Sequence, residues 1–290
     1  MASLKNVKTK IGAIKKTSQI TKAMNMVAAS KLRGAQAKME AFRPYAREFQ
    51  TAMASLAGQM SGGQFALMEA REVKAVEILV VTSDRGLCGS FNSNIFKQAE
   101  ARIRELEKAG KTVSIVAVGR KANIYFRKTG RVRKAFTDIM GTFQMYNARA
   151  IAQDVAANFL AGGADAVELM YGRFINVATQ RPAAAQFLPI QPPAAEAGAT
   201  RKAADYIFEP SPEEIMGMLL PLYLNVMVYH AMLETSTSEH AARMSAMDNA
   251  TRACKDMAAA LTLSYNKARQ AGITAELMDI VGGAEALRKA

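Results

Sequence analysis

Two long heptad seams, one at each end of the chain, constrain the fold more than any other feature. From Leu4, alternating steps of three and four reach Val7, Ile11, Ile14, Ser18, Thr21, Asn25, Ala28, Leu32, Ala35, Met39, Phe42, Ala46, Phe49, Met53 and Leu56. None of these residues is charged, and nearly all are apolar or small. A stripe with that period is the seam of a helix that pairs with another helix. Pro44 removes one backbone donor and predicts a bend, and SGGQF (Ser61–Phe65) ends the pattern. At the other end, SPEE (Ser211–Glu214) is a helix start, with Ser as N-cap, Pro in the first position and Glu214 closing a capping box. A helical pattern follows to about Val281, with apolar Ile215, Leu219, Leu222, Val226, Tyr229, Leu233, Met244, Met247, Cys254 and Leu261. Its phase slips once, near Ser236–His240, in the manner of a stutter.

Length turns this pattern into a statement about surroundings. At 1.5 Å per residue, helices of about 55 and 70 residues span roughly 80 and 105 Å, against roughly 30 Å for a compact domain. Two paired helices cover only one stripe of each other. Off-seam positions are nevertheless apolar: Ile20, Met24, Met26 and Val27 in the first helix, Ile273, Leu277, Met278, Ile280 and Val281 in the last. Such a patch predicts other polypeptides around these helices.

The middle of the chain reads as alternating strands and helices. VEILVV (Val76–Val81), a helix over Ser93–Ala109, TVSIVAVG (Thr112–Gly119) and a helix around Ala122–Lys128 predict βαβα with a parallel sheet. A helix over Ala148–Leu160 and the strand AVELMYGRF (Ala166–Phe174) continue it. IQPPAAEAGATRKAA (Ile190–Ala204) reads as a mobile loop. The fold class is therefore α/β: an antiparallel coiled coil of the terminal helices plus a central Rossmann-like domain. The divisions are an N-terminal helix over 1–60, a central domain over 72–209 and a C-terminal helix over 211–290.

Charge locates the partner. Residues 1–50 carry eleven basic side chains against Glu40 and Glu48, a surplus of nine within a net charge of +13 for the 290-residue chain. An acidic partner at the N-terminal segment follows. Two cysteines make neither a disulfide framework nor a metal site and indicate a reducing compartment. No signal peptide is visible. Ile215–Leu233 holds no charge and is long enough to cross a membrane, but Gly217, Pro221, Asn225, His230 and its methionines suit protein contact better.

The turn TSDRGLCGSFN (Thr82–Asn92), between a strand and a helix, sits where α/β enzymes keep phosphate cradles or nucleophiles. It has Gly86 and Gly89 but neither G-x-G-x-x-G nor G-K-[ST]. As a nucleophile elbow, G-L-C-G-S ends in Ser90 where glycine is required. A Cys88 nucleophile also wants a base, and the only histidines, His230 and His240, lie in the C-terminal helix. The turn is expected to hold a shape, with Asp84 and Arg85 bonding it in place. A phosphate-binding α/β enzyme with helical appendages stays as the alternative. The basic helix has a nucleic-acid reading, against which its continuous seam and off-seam methionines favour a protein partner.

Four blocks carry a specific resemblance: ITKAMNMVAASKLR (Ile20–Arg33), SDRGLCGSFN (Ser83–Asn92), SEHAARMSAMDNAT (Ser238–Thr251) and LSYNKARQAGITAELMDIVGGAEAL (Leu263–Leu287). In content and order they resemble the γ subunits of F-type ATP synthases, over the whole chain. The resemblance implies a central-stalk rotor whose terminal helices turn inside a ring of α and β subunits, with the central domain on the c-ring and against ε. Proton-driven rotation of the c-ring then drives the β sites through their conformations for ATP synthesis, or hydrolysis in reverse. It implies no catalytic residue, cofactor or metal in this chain, no nucleic acid partner and no direct membrane span. Thr21, Lys22 and Met24 then correspond to a contact with an acidic lever loop of β, and Arg269 and Gln270 to bonds with a β catch loop. Arg85 and Cys88 correspond to a further β contact. Leu277, Ile280, Val281 and Leu287 would turn in an apolar collar, and Tyr206 and Glu209 would meet ε and the c-ring. The resemblance also implies a peripheral membrane protein on the cytoplasmic face of a bacterial plasma membrane, and the missing cysteine insertion of plastid relatives implies no thiol regulation of that kind.

Overall fold

A computed structural model of the chain describes residues 4–59, 65–191 and 211–289. Both seams are helices: α1 is Leu4–Gln59 and α5 is Pro212–Lys289. Along α1 every seam position from Val7 to Leu56 is buried or half-buried, while the basic positions between them are exposed. Ser211 caps α5, its Oγ accepting the Glu214 N–H at 3.2 Å, which satisfies one of the amides a helix start leaves open. The expected end of α5 near Val281 is corrected. The helix continues through Gly282 and Gly283 to Lys289, because glycine weakens a helix by about 1 kcal/mol relative to alanine without forbidding the turn.

Packing divides the chain into two units, Met1–Val27 with Met244–Ala290, and Ala28–Arg243. Within the first, Asn25 reaches Met244 and Thr21 reaches Thr251. Within the second, the Phe42 ring meets Tyr229 edge-on at 4.9 Å and Phe49 lies along Tyr223 at 6.2 Å. In each unit one number rises as the other falls, so the helix pairing is antiparallel.

The larger unit contains a five-stranded sheet in the order β3-β2-β1-β4-β5. The strands are β1 (Ala75–Val81), β2 (Thr112–Val118), β3 (Val132–Phe136), β4 (Ala166–Phe174) and β5 (Gln180–Leu188). The first four are parallel, with β1 matched to β2 from Ala75↔Thr112 to Val81↔Val118. The parallel arrangement expected for β1, β2 and β4 is present, and β5, a strand the sequence did not single out, runs antiparallel to β4. Helices α2 (Phe91–Lys108), α3 (Arg120–Phe126) and α4 (Met145–Leu160) complete the unit.

Both faces of the sheet are buried, which is why β1 is an unbroken apolar run rather than an alternating one. Val76, Ile78 and Val80 pack under α2 and α3 with Ile95, Ile103 and Phe126. Leu79 and Val81 face the other way, into a cluster with Ile151 and Val155 of α4, Met39 and Met53 of α1, and Leu220 and Val228 of α5. The close seat of α2 on β4 depends on Gly172, where a Cβ would lie 2.4 Å from the Phe91 ring.

The charge-free stretch of α5 is apolar and long enough to cross a membrane. Its Met216, Leu220, Tyr223, Leu224, Val226, Val228, Met232 and Leu233 are instead buried in this core. Leu222, expected in the seam, points outward. The phase slip near Ser236 also has a cause: Ala231–Glu239 are buried all round. The polar residues there replace a strand. Beyond Met170, β4 runs past its last partner in β1, and α5 side chains take up the open main-chain groups. Thr235 Oγ1 accepts from Gly172 N at 3.3 Å, Ser238 Oγ donates to Gly172 O at 3.0 Å, and Glu234 Oε2 accepts from Phe174 N at 2.7 Å. Buried polar groups are tolerated when bonded in this way.

Ile190 is buried and its N–H donates to Leu67 O at 2.8 Å, so the packed chain runs at least that far into the expected loop at 190–204. The rest of that loop, and Tyr206 and Glu209, lie outside the described residues.

Candidate functional site

The turn after β1 is held from three sides. Thr82 Oγ1 donates to Val118 O and accepts the Ala122 N–H, tying it to the neighbouring strand and α3. Asp84 accepts three main-chain amides: Arg120 N at 2.8 Å, Asp138 N at 3.0 Å and Met140 N at 2.8 Å. Ser83 Oγ donates to Arg85 O at 2.6 Å and accepts from Asn92 Nδ2 at 2.8 Å. Asp84 therefore does what the sequence predicts, whereas Arg85 contributes its carbonyl, and its side chain is exposed.

The glycines behave differently from each other. Gly89 takes a left-handed φ of 59°, but the other left-handed residue is Leu87, at 64°, rather than Gly86. A leucine in that conformation is strained by roughly 1–2 kcal/mol and persists only where its surroundings dictate it. Leu87 is also 62% exposed. Sequence reasoning missed it, because a single leucine in a turn carries no periodic signal.

Cys88 points inward. It is buried, Asn92 Nδ2 donates to its Sγ at 3.2 Å, and burial, followed by the carboxylate of Glu239, pushes its thiol pKa up. A nucleophilic cysteine needs the opposite shift. Among the described residues no group of three or more His, Cys, Asp or Glu side chains is placed to hold a metal. His240 is neutral near pH 7, its pKa pulled down to about 4 by burial and then by Arg243, Lys31 and Arg85.

The smaller unit has a different character. Thr21 and Thr251 place their hydroxyl oxygens 2.7 Å apart, and Asn25 Nδ2 donates to Met244 O at 2.8 Å. Thr21 is thus taken up by the helix pair and only 9% exposed, Met24 is half-buried, and Lys22 is the exposed member of the three. On the outer faces Ile20, Met26, Val27, Met257 and Leu263 stand exposed. From Asn266 onward every described side-chain position but that of Gly272 is exposed. This includes Arg269 and Gln270 and the apolar Ile273, Leu277, Met278, Ile280, Val281 and Leu287. The described residues that the sequence expected to act together therefore fall into three places: the turn, the paired helices and the exposed end of α5. Lys22, Arg85, Arg269, Gln270, Leu277, Ile280, Val281 and Leu287 face outward, whereas Thr21 and Cys88 are buried and Met24 is half-buried.

Residues 3–287 match the family model described as ATP synthase. The chain is similar to the ATP synthase gamma chain of Desulfotalea psychrophila, with 60% identity across 99% of this chain and the whole of that one. It is also similar to the ATP synthase gamma chain of Syntrophus aciditrophicus, at 48% identity over the full length of both. Among solved structures it resembles a chain of the central stalk and c-ring of Tetrahymena thermophila mitochondrial ATP synthase, with TM-score 0.60, 26% identity, and 80% of this chain and 99% of that one covered. The fold also matches a chain of the Euglena gracilis mitochondrial ATP synthase in rotational state 3, with TM-score 0.71 and 22% identity over 98% of this chain and 94% of the other.

Proposed function

The chain belongs to the ATP synthase gamma-chain family, and from that premise we propose that it is the central-stalk rotor subunit of an F-type ATP synthase. It couples proton-driven rotation of the c-ring to the conformational cycling of the β catalytic sites, toward ATP synthesis or, in reverse, hydrolysis. The observation that carries this reading is the exposed apolar surface of the smaller unit, above all Ile273, Leu277, Ile280, Val281 and Leu287 along one end of α5. An isolated helix gains its stability from packing, and exposed apolar side chains in such number call for a sheath. The α and β subunits supply it, with the collar around Leu277–Leu287 and the lever and catch loops of β at Lys22, Met24, Arg269 and Gln270.

The chain is a non-catalytic subunit, since its one buried thiol is held unreactive and its turn is built to be rigid. Segments 1–60 and 211–290 act as the shaft and 72–209 as the central domain, with ε and the c-ring as the latter's partners through Tyr206 and Glu209. It works as a peripheral membrane protein on the cytoplasmic face of the bacterial plasma membrane. The test is affinity purification of the tagged chain from its native membranes. Recovery with α, β, ε and c supports the reading, and recovery as a lone monomer overturns it. Nucleotide binding by residues 72–175 alone would favour the alternative of a phosphate-binding α/β enzyme.

A further inference from the structure

Arg243 is buried on α5, one turn after buried Glu239, whose Oε1 lies 2.5 Å from its Nη2. A charge pair taken out of water needs its remaining donors used. Here two of them converge on one main-chain atom, Arg243 Nε and Nη2 donating to Gly86 O at 3.3 and 3.1 Å, while Nη1 lies 3.3 Å from His240 Nδ1. Gly86 immediately precedes Leu87, the exposed residue in the left-handed conformation. On the other side Asp84 is fixed by its three amides. The strained leucine is therefore clamped between two anchors, Asp84 within its own turn and Arg243 from α5.

We propose that Arg243 is a positioning residue: by gripping the Gly86 carbonyl it holds the turn so that Leu87 is presented as an apolar anchor to a partner protein. The partner's chemistry follows from what surrounds the anchor. Arg85, two residues away in the same turn, is exposed, the Lys121 ammonium end lies beside Gly86, and exposed Lys31 is close enough to Glu239, the partner of Arg243, to act on its charge. Cationic side chains around one apolar tip fit a small apolar recess rimmed by carboxylates. Within the rotor reading, on which this second half rests, that recess belongs to the β subunits.

The buried Cys88, next in sequence, reports on the clamp. In the full chain carrying Cys254→Ser, the rate of Cys88 alkylation by iodoacetamide reads the opening of the turn. Glu239→Gln with Arg243→Met removes the pair without stranding a buried charge. It is expected to raise that rate at least tenfold at unchanged helicity, with Arg243→Lys, which keeps the charge but loses the two-pronged grip, in between. An unchanged rate overturns the clamp. Leu87→Ala, at an exposed position, tests the anchor in the assembled enzyme. It is expected to lower protons pumped per ATP hydrolysed at least twofold while leaving alkylation of Cys88 slow. An unaltered ratio overturns the presentation of Leu87 even where the clamp stands. If the chain fails to assemble with β at all, the rotor reading fails and the alkylation result keeps its meaning.

Discussion

The hydroxyls of Thr21 and Thr251 meet 2.7 Å apart inside the helix pair of the smaller unit. Each also lies against a carbonyl of its own turn, Ser18 O at 3.1 Å and Met247 O at 2.7 Å. With two hydroxyl protons for three contacts, the hydroxyl that donates across the seam gives up or shares the bond to its own carbonyl. Thr21→Ala is predicted to destabilise the chain by about 1 kcal/mol, whereas Thr21→Val with Thr251→Val lies within about 0.5 kcal/mol of the parent, since an apolar pair of the same shape leaves nothing unsatisfied. Urea unfolding of the single and double variants gives both numbers.

Asp84 is the centre of the turn after β1. Asp84→Ala strands the amides of Arg120, Asp138 and Met140 and is predicted to cost about 3 kcal/mol or more, because bonds to a charged acceptor are the strong ones. Hydrogen exchange at those three amides should accelerate together; acceleration at one alone would mean that Asp84 is not their common anchor.

Gly119 and Gly110 separate strain from collision. Both have positive φ, 93° and 74°, but a Cβ at Gly119 would lie 2.4 Å from the Thr82 carbonyl oxygen, while nothing lies within 4 Å at Gly110. Gly110→Ala is predicted to cost about 1 kcal/mol and Gly119→Ala about 4 kcal/mol or more. Thermal unfolding of the two variants side by side shows whether the order holds.

His240 gives the chain a pH dependence of known sign. Its folded pKa of about 4 lies below the usual 6.5, so between these values the unfolded chain holds more protons than the folded one. Stability therefore falls as pH drops from 7 toward 4, by up to about 3 kcal/mol from this group. His230 is shifted in the same direction by burial. Glu239, whose carboxyl burial pushes up, works oppositely. His240→Gln should flatten the slope measured by urea unfolding at pH 7, 6 and 5. An unchanged slope would show that His240 is not protected from protonation.

The seam from Val7 to Leu56 and the strands β1, β2 and β4 were legible because each is a strong periodic or continuous apolar pattern, set by burial on a defined face. Two strands were not. VRKAF (β3) and QRPAAAQFL (β5) are the sheet's edges, half-exposed, with Arg133, Lys134 and Pro182 where an interior strand would carry branched apolar residues. The same limit applies to the site. Lys22, Arg269 and Gln270 are exposed as a contact surface requires. The burial of Thr21 and Cys88 and the exposure of Leu87 depend instead on which way a turn or a helix face is oriented by the packed residues, such as Thr251 and Arg243, and those lie far away in sequence.

The central claim is that this chain is turned as an axle within a ring of other subunits. It is tested most directly by fixing the assembled complex to a surface through β, attaching a bead to the sheet-bearing unit of this chain, and adding ATP. Continuous, stepwise rotation of the bead in one direction is expected. A bead that stays still while the same complexes hydrolyse ATP would contradict it.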